Sequence, residues 1–385
     1  MRGLRDLQLT EDQLAIVATA RDFADENLAP YAVEWDQTKH FPVDVLRKAA
    51  QLGMGGITVR EDFGGSGLSR LDSVLIFEAL AAGCPSIAAY LSIHNMVTGM
   101  VDKFGSDAQR ATFVPAMCSM DTLGSYCLTE PMAGSDAAAL QTTATKVGDG
   151  FELNGVKQFI SGAGVSGIYV VLARTGGDGA RGISAFIVEL DTPGLSFGVN
   201  ESKMGWNAQP TKQVVLDRVR VPMSSLLGVE GRGFSVAMTG LDSGRLNIGA
   251  CSVGAAQSAL DQAIGYLQER SAFGTKLATM QALQFRIADM QTELQAARTL
   301  IRSAASAVDA GNPDATTLVA MAKRFATDAG FEVANGALQL FGGYGYTVDY
   351  GIEKIVRDLR VHQILEGSNE VMRVIIARSA LATTR

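Results

Sequence analysis

Residues 124–140 read GSYCLTEPMAGSDAAAL, and the fold turns on this stretch. Upstream the chain is patterned for helices. Thr10 with Gln13 offers a capping box ahead of LAIVATARDFADENLAP. Apolar helical periods follow in PVDVLRKAAQLG, LDSVLIFEALAAG and IAAYLSIHNMVTGMVDKFG, each ending at or near a glycine. The texture changes near Asp121. From there to about Gly228, runs such as GFELNGVKQFI, GIYVVLART, GISAFIVEL and KQVVLDRVRVP alternate with Gly, Asn and Asp turns. Beyond GRGFSVAMTGLDSGR the long helical periods return, in GACSVGAAQSALDQAIGYLQERSAFG and ALQFRIADMQTELQAARTLIRSAASAVDAG, with AGNPDAT as a turn. The order predicts an α+β multidomain chain: an N-terminal helical domain over 1–120, a middle antiparallel β domain over 121–228, and a C-terminal helical domain over 229–385.

The 385 residues suffice for two or three domains and a large core. A net charge of -7 and a pI near 5.2 leave no basic stripe to neutralise phosphates, which excludes a nucleic-acid binder. No apolar run reaches the ~18 residues of a membrane span. The opening MRGLRDLQLTEDQLAIV lacks the apolar core of a signal peptide. Its initiator Met points to a bacterial cytoplasmic protein, although a mitochondrial matrix protein numbered after transit-peptide removal reads similarly. Cys84, Cys118, Cys127 and Cys251 show no CxxC spacing, and His40, His94 and His362 lie far apart. Reduced, buried thiols and structural histidines are expected, with no metal site.

Glycine is abundant, so dinucleotide fingerprints need testing. GSGLSR, GRGFSV and GYGYTV each supply GxG, but none has the third Gly or follows a strand into a βαβ unit. No P-loop is present either. The stretch 126–140 gathers hydroxyls (Thr129, Ser135), acids (Glu130, Asp136) and small residues at the edge of the β region. It reads equally as an ordinary Asp turn or as a loop that hydrogen-bonds a polar cofactor. QLFGGYGYTVDYGIEKIVRD (339–358) is similarly open: its glycines end a helix, or admit a phosphate or ribose to the backbone.

HQILEGSNEVMR (362–373) carries two carboxylates. Ser368 or Asn369 is a natural N-cap for EVMRVIIARSAL. Glu370 then sits in the first turn, where the helix dipole favours an acid by ~0.3–1 kcal/mol. Glu366 precedes the cap, after the apolar pair Ile364–Leu365. Apolar neighbours raise a carboxyl pKa, which suits a base that becomes an acid within one turnover. A buried capping Glu fits the same residues.

CLTEPMAGSDAAA and QLFGGYGYTVDYGIEKIVRD resemble the two signatures of the acyl-CoA dehydrogenase family, in the right order and about 210 residues apart. The α–β–α layout matches that family over essentially the whole chain, and FISGAG, GWNAQPT and RVHQILEGSNEVMR are most similar to its isobutyryl-CoA branch. The resemblance implies the acyl-CoA dehydrogenase fold, with a C-terminal domain like a four-helix bundle. It also implies an FAD enzyme that oxidises a short acyl-CoA to the 2-enoyl-CoA, as in valine catabolism. A carboxylate takes the α-proton while the β-hydride goes to flavin N5. The enolate oxygen is met by a ribityl hydroxyl and the base's own N–H, each worth ~3 kcal/mol.

Carried over by resemblance, Glu366 is the catalytic base. In the isovaleryl and long-chain branches the base stands just before the family's Arg, and here that position is Gly244, which has no carboxylate. Substrate contacts fall on Ser135, Asp242, Ser243, Gly244, Arg245, Gly367 and Arg378. Flavin contacts fall on Tyr126, Cys127, Leu128, Thr129, Gly134, Ser135, Phe159, Ile160 and Ser161, and near the last helix on Ser368, Asn369 and Glu370. Gln281 is a further flavin contact, and Arg270, Phe273, Gln339, Leu340, Phe341, Gly342 and Gly343 match segments that reach the FAD of a neighbouring subunit, implying a homo-oligomer, usually a tetramer. Electron-transferring flavoprotein is the implied partner. Acyl-CoA oxidases are much longer, which disfavours oxygen as acceptor. A butyryl-type substrate is the nearest competitor, and a flavin-free helical scaffold is the reading from another class.

Overall fold

The computed structural model describes residues 9–382. Residues 1–8, the head of the stretch scanned for a leader, and residues 383–385, the end of the 229–385 range, lie outside the described residues.

The chain opens with helices α1 (Glu11–Asn27), α2 (Ala32–Thr38), α3 (Val43–Gln51), α4 (Arg70–Gly83), α5 (Pro85–Phe104) and α6 (Asp107–Cys118). Their starts are written in local chemistry. Thr10 and Gln13 exchange capping bonds at 3.2 Å, as the sequence predicts, and Ser69 with Asp72 and Ser106 with Gln109 repeat the device. Each cap is worth ~1 kcal/mol.

Next come strands β1 (Gly124–Cys127), β2 (Thr143–Val147), β3 (Gly150–Ser161), β4 (Ile168–Arg174), β5 (Ile183–Glu189), β6 (Leu195–Phe197), β7 (Thr211–Pro222) and β8 (Leu226–Leu227). They form an 8-stranded sheet in the order β6-β7-β3-β2-β4-β5-β8, with β1 also on β4. Most neighbours are antiparallel, as expected, and β1 and β2 run parallel to β4. β1 arrives from a helix rather than a hairpin, so no turn forces it to reverse.

The last third comprises α7 (Gly233–Glu269), α8 (Gln281–Asp309), α9 (Ala315–Phe341), α10 (Ile352–Arg360) and α11 (Asn369–Ala382). GRGFSVAMTGLDSGR and GACSVGAAQSALDQAIGYLQERSAFG are not separate helices: α7 runs through both for 37 residues. Gly233, Gly240, Gly244, Gly249 and Gly254 lie where an added Cβ would meet a neighbour within 3 Å, so most of its glycines serve close packing. No helix among the described residues is long and apolar enough to cross a membrane.

Two cores decide where a site can form. Phe77 and Leu80 of α4 share one core with Cys251 and Ala256 of α7 and with Leu294 of α8, so both helical regions are one packed body. Met96 and Met100 of α5 join Val170 and Leu172 of β4 and Val236 and Leu241 of α7 in a second core, which seats the sheet on the helices. The meeting place of β1, α5 and α7 is therefore enclosed by all three regions. The four cysteines are free and buried, as expected. His94 and His362 are buried as well, bonded to the Met117 carbonyl at 2.8 Å and to Ser252 Oγ at 2.7 Å.

Candidate active site

The linker between α10 and α11 carries Glu366 in a left-handed conformation (φ 55°), followed by Gly367 at φ 91°. A non-glycine residue costs about 1–3 kcal/mol there and persists only when its surroundings fix it. They do. Arg245 of α7, buried at 4 % exposure, donates from Nε to the Glu366 carbonyl at 2.9 Å and from NH1 to Asp242 Oδ1 at 2.8 Å. This is no surface salt bridge. Lys323 of α9 donates to the next carbonyl, Gly367, at 2.9 Å. Leu365 packs against Ala89, Trp206 and Ile248, whereas Ile364 is exposed and supplies no apolar wall.

The Glu366 side chain lies directly over Gly244. A Cβ added to Gly244 would stand 2.7 Å from Glu366 Cδ and closer still to Oε2. The space a side chain at 244 would occupy is thus already filled by the Glu366 carboxylate. Burial pushes that carboxyl up to about 7, against the pull of Lys323 and Arg245. Its Oε2 is buried with no hydrogen-bond partner among the described residues. A buried polar atom without a partner is unusual and marks a place for a missing one. The Tyr126 hydroxyl, at the end of β1, is a second buried orphan and feels both Arg245 and Glu366.

On the sheet side, the register of β3 with β7 shifts between Lys157 and Ile160. Phe159 sits in this bulge at φ 59° and is 62 % exposed, while Ile160 is 2 % exposed and faces the core. Bulges re-aim side chains beside binding sites, and here a phenyl ring is turned outward. Gln158 N–H donates to the Thr129 carbonyl at 2.8 Å, which ties the 127–136 loop to this ring. Glu130 settles the rest of the loop: it accepts from Gln141 and Thr142 N–H and pairs with the buried Lys157 at 2.7 Å. Burial works against its charge, but Lys157 and these donors hold its carboxyl below the usual range. Glu130 is a structural bracket.

A cavity of about 550 Å³ opens between α5, α7 and α9. Met96, Met100, Gly240, Asp242, Ser243 and Val319 are among its walls, which reach the residue before Gly244.

Family models for the acyl-CoA dehydrogenase N-terminal, middle and C-terminal domains match residues 10–121, 125–219 and 231–381. The chain belongs to the acyl-CoA dehydrogenase family. It is 54% identical over 371 residues to the mitochondrial isobutyryl-CoA dehydrogenase of Dictyostelium discoideum, covering 96% of this chain and 89% of that one. Identity to the Bos taurus isobutyryl-CoA dehydrogenase is also 54%, over 97% of this chain and 90% of the relative. The solved butyryl-CoA dehydrogenase of Megasphaera elsdenii superposes with a TM-score of 0.94 at 38% identity, covering 98% of this chain and 100% of that one.

As an acyl-CoA dehydrogenase the chain is an FAD-dependent oxidoreductase. Its residues fit that group. Phe159 presents a ring face, Glu366 Oε2 and Tyr126 OH lack partners, and added Cβ atoms at Gly134, Gly342 and Gly343 would meet nothing within 4 Å. Gly134 and Ser135 are exposed and Ser161 half-buried, its carbonyl fixed by Ser125 Oγ at 2.6 Å. Cys127, Leu128, Ile160, Leu340 and Phe341 put their side chains into the core, so only their backbone is free for a cofactor.

Other expected residues are scattered. Ser368 is the cap, accepting from Val371 N–H at 3.4 Å, whereas Asn369 is inside α11 and 3 % exposed. Glu370 is solvent-facing, its carboxyl lowered by its own N–H and by Ser368. Arg378 is exposed on α11, over two turns beyond the Glu366 loop. Arg270, Phe273 and Gln281 are exposed with Gln339, Gly342 and Gly343, and Arg270 lies over the Tyr344 ring at 5.7 Å. From Gly244 to that end of α7 is roughly 38 Å at 1.5 Å per residue. Lys323 escaped the sequence reading. Its signal was a lysine in the buried stripe Val319, Lys323, Ala326, Gly330.

Proposed function

We propose that the chain converts isobutyryl-CoA, a short branched acyl-CoA, to its 2-enoyl-CoA, with Glu366 taking the α-proton. The environment of Glu366 carries this reading. At about 7, its carboxyl is populated in both forms at neutral pH, so it can accept a proton and later release it. Its Oε2 is buried without a hydrogen-bond partner among the described residues, so no protein donor among them competes for the proton it would take. The left-handed turn fixes the Glu366 N–H, which we assign to the thioester oxygen; a donor there lowers the barrier by about 3 kcal/mol. Bound FAD supplies the hydride acceptor at flavin N5.

Thr129, Ser135, Phe159 and Ser161 would hold the flavin on this chain's own sheet edge, and the cavity walled by Met96, Met100 and Asp242 would take the acyl-CoA. Arg270 and Phe273 follow the far end of α7, where Phe341 packs on Tyr266 and Tyr344 on Arg270, so we assign Arg270, Phe273, Gln281 and residues 339–343 to the flavin of a second copy in a tetramer. Electron-transferring flavoprotein is the proposed electron acceptor. The branched substrate is favoured because 54% identity to two isobutyryl-CoA dehydrogenases exceeds the 38% to the butyryl enzyme.

Anaerobic titration of the holoenzyme with a panel of acyl-CoAs tests the assignment. Isobutyryl-CoA is expected to bleach the flavin at lower concentration than butyryl- or isovaleryl-CoA. The reverse order would remove the branched reading and leave a straight-chain dehydrogenase.

A further inference from the structure

Glu366 and Gly367 present successive carbonyls, and each takes a hydrogen bond from a buried cation on a different helix. Arg245 of α7 is the first. Lys323 of α9 is the second, with no measurable exposure and with Nζ at 2.9 Å from the Gly367 carbonyl and 3.0 Å from Asn369 Oδ1. Asn369 passes the hold back to α9, donating to Thr327 Oγ1 at 2.9 Å and Asp328 Oδ1 at 2.7 Å. Gln363 reaches the same Asp328 oxygen at 2.9 Å, so both ends of the linker are fastened to one helix. A buried ammonium is costly, and the rest of its stripe on α9 is apolar or small. Packing alone does not call for a lysine here.

We propose that Lys323 is a positioning residue for Glu366: it clamps the Gly367 carbonyl, locks the left-handed turn, and stands as a positive charge behind the carboxylate. The inference rests on the dehydrogenation proposed above.

The electrostatics agree with the geometry. After burial, Lys323 is the foremost influence on the Glu366 carboxyl, ahead of Arg245. The influence is mutual: burial pushes Lys323 down to about 8, and Glu366 leads the groups that hold it up, with Arg245 opposing and Asp328 and Glu370 assisting. Other groups around the carboxylate carry no charge near neutrality. Burial raises the Tyr126 hydroxyl and the Cys251 thiol, and burial with Lys323 lowers His362 to about 3. Asp242 is engaged by Arg245.

The test uses Lys323→Gln, which keeps a donor for the Gly367 carbonyl and removes the charge. Holoenzyme is assayed for kcat and KM against pH with the best acyl-CoA, alongside wild type and Lys323→Arg. The acid limb of kcat should move up by about one pH unit in Lys323→Gln, with a roughly tenfold lower rate at pH 6 and flavin content unchanged. Lys323→Arg should keep the limb in place. An unmoved limb in active, flavin-loaded Lys323→Gln overturns the inference. A wild type that no acyl-CoA reduces would instead overturn the functional reading. If Lys323→Gln does not fold, the Lys323→Gln/Glu366→Gln double variant decides. Recovery of flavin-loaded protein supports the coupling, and continued failure refutes it.

Discussion

Glu366, the proposed base, is costly to the fold. Its carboxyl rises from 4.5 to about 7, so the folded state binds a proton more readily than the unfolded chain across that window. Stability therefore falls as pH rises through it. Glu366→Gln removes the cost and should be more stable than wild type at pH 8, by up to about 3 kcal/mol. The difference should shrink towards pH 4.5, and melting curves of both proteins across pH check the sign. The same variant should retain flavin and lose roughly 10²–10⁴-fold in turnover; near-normal turnover would sink the assignment. Wild-type turnover should climb as pH rises through about 7. Gly244→Ala places a methyl where the carboxylate lies, and is expected to lower kcat tenfold or more with flavin bound, read by steady-state kinetics. Glu366 was singled out in the sequence as the proposed base through its motif and the bare Gly244. Its hold on Lys323 was not, because that contact joins α9 to the linker and the only trace was a lysine in an apolar stripe.

Among elements, the bulge in β3 and the linker before α11 do most to shape the site, and both depend on backbone conformations that composition conceals. Of the seven non-glycine residues with positive φ among those described, Phe159, Phe273 and Glu366 were expected at the cofactor or substrate. Helix starts at Thr10 and strand runs such as GIYVVLART were readable because capping and β-branching act within a few residues. The length of α7 and the parallel β1–β4 pairing were not, since tertiary contacts decide them. Another anchor is α10. Lys354 and Asp358 form a pair at 2.7 Å, both nearly fully buried, and Asp358 accepts the Trp206 N–H at 2.6 Å. Trp206 then packs edge-on against His362, beside the linker that carries Glu366. Asp358→Asn strands a buried ammonium and should destabilise the protein by about 3–5 kcal/mol in denaturant titration. A change under 1 kcal/mol would show that the pair is dispensable.

At the scale of the molecule, exposure marks where the proposed second copy would sit. Phe273 is 96 % exposed at the tip of a short hairpin, and Tyr346 is 84 % exposed nearby in the second signature. If these serve a second copy's flavin, Phe273→Ser should lower flavin retention and shift sedimentation towards smaller species. Unchanged behaviour on both counts would remove the shared site. The joint core of α4, α7 and α8 bears on how the chain is made. Glu78 of α4 is a half-enclosed carboxylate whose partner, Arg298, is 220 residues further on. At 5–20 residues per second, a ribosome needs roughly 11–44 s to deliver that arginine. For this interval Glu78 lacks Arg298 and Arg302 and has Arg21 of α1 as the cation acting on it, while the first helices hold an open apolar face. Early folding must be provisional, and a nascent chain stalled before α8 is a natural client for chaperones.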